Sequence, residues 1–283
     1  MGATVQHVRS PATGSSDSPV TQLQNASTVC KFALLPGINM MLTAIDDAQR
    51  KAARVAGFTL LFAMAIVMFG TYYLSADLYV PGDAAQTAKN ILTHETRFRL
   101  HVAFNLLYVV NSAVLTSALY VILKPVSQGL ALVAAFCRLT YALVWLVIAL
   151  DMLGSLRLLG YAPYLQVFEA DRLQALARVR LNGNWDAYYV GLPFWTLAST
   201  LCSYLWFKSA YIPRALAAFG VIASAWCAMC AFAFIVFPVF NQTIDPNWFD
   251  APMALFEMAT GFWLLFRGLK PSVQDASDAA SGG

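Results

Sequence analysis

The sequence predicts an all-α fold, an integral membrane bundle of six transmembrane helices, and three observations carry that reading. The chain of 283 residues is 59% hydrophobic and only 12% charged, against about 25% charged in ordinary soluble domains. Its mean hydropathy is +0.60. Apolar runs of about 20 residues, the length that crosses a hydrocarbon layer as a helix, recur at short intervals. A lone strand would leave its backbone groups unsatisfied in lipid, so each run is taken as a helix. The net charge of +3 is too small to argue for nucleic acid as a partner. Membrane lipids are the expected partners.

Residues 1–49 read as a disordered cytoplasmic tail. Met1 to about Met40 is rich in Ser, Thr, Gly and Pro and lacks the apolar core of a signal peptide. Met41 is a candidate native start, because recognisable organisation begins just after it. Asp46-Asp47 suits a helix N-cap better than a metal–diphosphate site, since no second acidic cluster accompanies it. Residues 50–270 form the transmembrane domain, with spans at 57–76, 98–123, 130–153, 188–207, 215–237 and 253–266. Residues 271–283 form a second polar, disordered tail.

Basic residues orient the spans. Arg50, Lys51, Arg54, Lys124, Lys208, Arg214, Arg267 and Lys270 all fall on one side, in short connections, which places both termini in the cytoplasm. The longer outer loops, 77–97 and 154–187, also carry basic residues mixed with acids, so the bias is moderate. Tyr72, Tyr73, Tyr79, Tyr161, Tyr164, Trp185 and Trp248 form the expected outer aromatic belt. Within the second outer loop, residues 169–181 place Leu173, Leu176, Ala177 and Leu181 on one face. That pattern predicts a separate amphipathic helix that lies on the membrane or caps the bundle.

Four of the five cysteines lie in apolar segments, so no disulfide framework is implied. Cys227 and Cys230 read as small packing residues one turn apart rather than as a metal or redox pair. Neither a cofactor nor a metal is implied. There is no Gly-rich phosphate loop, G-x-S-x-G or H-E-x-x-H. The triplets at Asn25 and Asn241 match a glycosylation acceptor, a weak signal by itself.

Two constellations carry chemistry. Arg138 sits mid-way along one apolar run and Glu257 lies inside another. An ionised group at that depth costs at least ~2.5–3.5 kcal/mol and calls for a partner. Arg138 lies about 15 Å deep and Glu257 about 12 Å deep from the opposite face, at 1.5 Å per residue. These depths are compatible with a direct buried ion pair. The second constellation runs along the second span, where His94, Arg97, His101, Asn105, Tyr108, Ser112 and Thr116 are spaced 3, 4, 4, 3, 4 and 4. They occupy an arc of about 100°. With Asp151, Asp186 and Glu95 near the same end, the stripe predicts a polar cavity open to the outer face. Ordinary interhelical hydrogen bonding is the plain alternative, worth about 0.6 kcal/mol per group. His94 and His101 are two turns apart, too far for the adjacent-turn pair of a metal helix.

Several ordered motifs resemble a known family. They are Pro81-Gly82-Asp83-Ala84, Thr87, Asn90-Ile91, Phe98-Arg99, Tyr120-Val121-Ile122-Leu123-Lys124-Pro125-Val126, Phe136-Cys137-Arg138-Leu139, Ile212-Pro213-Arg214, and Glu257 with Trp263-Leu264-Leu265. From about Arg50 to Lys270 the chain is similar to a bacterial multi-pass membrane family catalogued as domain of unknown function 4386. The resemblance implies six membrane helices and no assigned activity, and it puts Arg138 and Glu257 on motif positions. Members of that family often carry a histidine at the start of the fourth span, where this chain has Asn184-Trp185-Asp186.

The functional expectation is a membrane protein that binds a small amphiphilic or anionic molecule in its polar cavity, as a carrier or receptor. One alternative is an intramembrane enzyme acting on a lipid or isoprenoid, with Glu257 or Asp186 as general acid. The other is a structural membrane protein whose ion pair has no ligand. No internal repeat of the kind transporters show is evident.

Overall fold

The computed structural model describes residues 45–160, 163–165, 167–237, 239–240, 244–245 and 248–270. The chain divides into two units, Met1–Met41 and Leu42–Gly283. The first lies outside the described residues, and with it most of the expected tail, the Met41 start and the Asn25 triplet. So do Tyr161, the Asn241 triplet and the tail from 271.

The described residues contain helices and no strand. Helix α1, Asp47–Phe69, opens on a capping box: Gln49 N donates to Asp46 Oδ1 at 2.6 Å, and Asp46 N donates to Gln49 Oε1 at 3.2 Å. It therefore begins inside the segment assigned to the tail. Its last turn widens into a π-turn, Gly70–Leu74. Helix α2, Ala84–Thr93, lies in the connection between α1 and the next long helix, with Asp83 as N-cap after Gly82 at φ 78°. The remaining helices are α3 (Glu95–Leu123), α4 (Gln128–Leu159), α5 (Ala170–Ser209), α6 (Arg214–Val236) and α7 (Ala251–Phe266).

Helix α5 corrects one expectation. The outer-loop segment 169–181 and the span 188–207 are one continuous helix of 40 residues, not two. Asn182-Gly183-Asn184 does not break it, because one glycine weakens a helix by only about 1 kcal/mol. Tertiary packing outweighs that: Ala177 and Leu181 are buried with Ile91 of α2, Phe98 of α3 and Leu156 of α4. At 1.5 Å per residue α5 is about 60 Å long, roughly twice the thickness of a hydrocarbon core.

By length and composition, four helical stretches among the described residues can cross a membrane: Asp47–Leu74, Glu95–Leu123, Gln128–Leu159 and Arg214–Val236. Helix α7 is apolar but has only 16 residues. The C-terminal half of α5 is diluted by Trp, Tyr, Ser and Thr.

The long helices form a closed ring. α1 packs on α3, α3 on α4, α4 on α5, α5 on α6, α6 on α7, and α7 returns to α1. Lipid tails are as apolar as leucine, so such helices associate through close packing rather than through the hydrophobic effect. The buried face of α1 is accordingly small, with Ala53, Ala56, Gly57 and Ala63. At Gly57 the approach is backbone to backbone: a Cβ there would lie 2.6 Å from Leu265 N and 2.8 Å from Gly261 O of α7. Large apolar side chains such as Phe58, Val110, Phe136, Leu143 and Ile222 are exposed on the outside, as lipid contact requires.

Candidate functional site: a charged centre inside the helix ring

Arg138 comes from the third turn of α4 and Glu257 from the second turn of α7. Arg138 Nη2 lies 2.9 Å from Glu257 Oε1, with side-chain exposures of 9% and 15%. At these exposures each charge depends on the other for most of its stabilisation. Two groups on α5 complete the surround. Trp195 Nε1 donates to Glu257 Oε1 at 3.0 Å, and Arg138 Nη2 donates to Ser199 Oγ at 3.4 Å. Neither residue stood out in the sequence, because Trp and Ser are ordinary in membrane helices. The signal that could have found them is their spacing of four, which stacks both on one face of a helix.

Beside Arg138, toward the C-terminal end of α3 and the N-terminal end of α4, is a crevice of only about 10 Å³, lined by Thr116, Tyr120 and Leu123 of α3, Ala131 and Ala134 of α4, and Cys202. Such a volume holds about one water. Among the described residues, neither Arg138 Nε nor Thr116 Oγ1 has a hydrogen-bond partner. On the other side of the pair, toward the N-terminus of α7, the ring is filled with aromatics. Tyr141 stacks on Trp195 at 5.6 Å, Tyr108 lies 4.6 Å from Trp145, and Trp145 meets Tyr188 edge-on at 6.4 Å. Tyr188 then donates to Asp250 Oδ2 at 2.6 Å. Asp250 holds the N-cap position of α7, and burial holds its carboxyl above the ordinary aspartate range, opposed in part by the Tyr188 hydrogen bond.

The polar stripe on α3 is dispersed among several tasks. His94 is exposed at the junction of α2 and α3. Arg97 Nη2 donates to the carbonyls of Tyr73 and Ala76, closing the chain after the π-turn. His101 packs beside Gly70, where an added Cβ would meet the ring at 3.3 Å. Asn105 Nδ2 reaches Met152 Sδ of α4 at 3.3 Å. Ser112 and Thr116 are buried, and Tyr108 is half-buried. Asp151 pairs loosely with Arg180 of α5 at 3.6 Å. Asp186 is exposed on α5, away from any bond to the charged centre. Cys227 and Cys230 are fully buried in an apolar and aromatic cluster with Phe234, Phe249 and Phe256.

These features define a class: a helical membrane protein with a charged centre inside its ring. The family model described as "Domain of unknown function (DUF4386)" matches residues 55–268, and the chain belongs to that family. No curated protein and no solved structure matches it.

Proposed function

We propose that the chain crosses the bacterial inner membrane six times, with both termini cytoplasmic. In this arrangement α5 crosses with its C-terminal half, and α7 spans through local thinning of the bilayer. Its ring receives a small amphiphilic or anionic molecule from the outer face, as a carrier or receptor, past the Tyr141–Trp195 and Tyr108–Trp145 pairs, which part to admit it. Arg138 is the anion anchor, and Glu257 releases it when protonated. The observation that carries the reading is Arg138 itself, a buried guanidinium whose Nε has no hydrogen-bond partner among the described residues. Polar groups at such depth mark sites by default. Native mass spectrometry of protein extracted from its own membrane tests it. A bound small molecule that is present in the wild type and absent from Arg138→Gln supports the reading. A wild-type spectrum free of any such mass, under conditions that retain lipid, refutes it.

A second reading is favoured by the narrowness of the crevice and by the packing duties of Arg97 and Asn105. Here the ion pair only fixes how α4 and α7 meet. Replacing both partners with methionine would then preserve the fold, since apolar substitution of a whole buried pair is often neutral or stabilising.

A further inference from the structure

An open groove of about 480 Å³ runs along the outside of the ring between α1 and α3. Its walls are Phe58 and Phe62 of α1 and Leu107, Val110 and Val114 of α3, with Arg54 at one end. Phe58 and Phe62 stack at 5.6 Å. The floor is closed by Asn111, whose Nδ2 donates to Thr59 O at 2.9 Å, and by Thr59, which donates back to Val55 O. The Asn111 amide and the Thr59 hydroxyl are thus both spent on carbonyls of α1, and the groove offers an apolar lining with a single cationic end.

We infer that this groove holds one acyl chain of an anionic phospholipid whose phosphate rests on Arg54. Three observations select that occupant. From Arg54 to Phe62 the groove follows eight residues of helix, about 12 Å at 1.5 Å per residue. Half of a hydrocarbon core is about 15 Å, so the length suits a chain from one leaflet. Arg54 is exposed and forms no ion pair among the described residues. The charge around it has one dominant sign. Lys51 stands one turn away on the same face, and Gln49 Nε2 donates to Ile122 O, which brings exposed Arg50 and Lys124 to the same end. Asp46 and Asp47 are the acids at that end. A guanidinium at headgroup level above an apolar slot recognises a phosphate joined to a hydrocarbon tail. A second copy of this chain would have to bring an acid to Arg54 as well as an apolar ridge.

The test uses the full chain in non-ionic detergent, with native mass spectrometry against titrated phosphatidylglycerol or phosphatidylcholine of identical acyl chains. The wild type should prefer the anionic lipid about fivefold more than Arg54→Gln does, the weight of one basic residue at an anionic surface. Arg214→Gln, on α6, should leave the preference intact. Val110→Trp should fill the slot and reduce retention of both lipids, and Leu107→Trp, at the deep end, provides the same test should the first variant misfold. The inference is overturned by an unchanged preference in Arg54→Gln, or by undiminished retention in both tryptophan variants. A protein dimer that Val110→Trp dissociates at unaltered lipid retention would assign the groove to a second copy instead.

Discussion

Glu257→Ala leaves the Arg138 guanidinium in the ring with Ser199 as its remaining partner, at 3.4 Å. Breaking a buried pair by removing one member costs about 3–5 kcal/mol. The side-chain exposures of 9% and 15% leave little solvent to soften that loss. For a domain of this size each kcal/mol moves the melting temperature by roughly 2–4 °C, so either single alanine variant should melt roughly 6–20 °C lower. The double variant, Arg138→Ala with Glu257→Ala, removes both charges and strands only Ser199 and the Trp195 N–H. Its loss should fall short of the sum of the singles by about 3 kcal/mol, at the upper limit of pairwise coupling. A thermal-shift cycle in one detergent at one pH reads all four proteins. Losses that add within about 0.5 kcal/mol would mean that the pair does not act as a unit.

Three further outcomes follow from the same geometry. Gly57→Val should destabilise by about 1–3 kcal/mol through overpacking, because its Cβ would meet backbone of α7 at 2.6 Å, whereas Gly129→Ala meets nothing within 4 Å and should be neutral or stabilising by up to about 1 kcal/mol. Equal effects in thermal unfolding would reject the close approach of α1 and α7. Cysteines placed at His101, Asn105 and Ser112, in a background freed of native cysteines, should react with a water-soluble thiol reagent applied from outside if the polar cavity is open; silence at all three would remove it. The raised carboxyl of Asp250 stabilises the fold most at low pH, where both states are protonated. That contribution is lost as pH rises from the ordinary aspartate range through the elevated folded value. Asp250→Asn should flatten this decline in melting temperature against pH, and an unchanged slope would exclude Asp250 as its source.

The apolar runs of α1, α3, α4 and α6 are legible in the sequence because each is long and poor in charge. The extent of α5 is not, since its polar half and its Trp- and Ser-rich half share no hydropathy signal and are joined by Asn-Gly-Asn. Helix α2 lies inside the segment 77–97 that reads as a loop, because its buried face of Thr87, Ala88 and Ile91 is too short to stand out. Arg138 and Glu257 stand out because charge at depth is costly, and that cost says a partner is needed without saying which. The closure of α1 on α7 rests on Gly57 and Gly261, and small residues are too common in membrane helices for a pair to announce itself.

The two halves of the charged centre are far apart in synthesis. Glu257 follows Arg138 by 119 residues and Ser199 follows it by 61. At about 5–20 residues per second, the carboxylate is made roughly 6–24 s after the guanidinium. Throughout that interval α4 carries an uncompensated cation, at an insertion cost of about 2.5–3.5 kcal/mol. Translation that stalls before α7 therefore yields a chain with both an open seam beside α1 and an orphaned charge, and quality control in the membrane has two marks by which to recognise it.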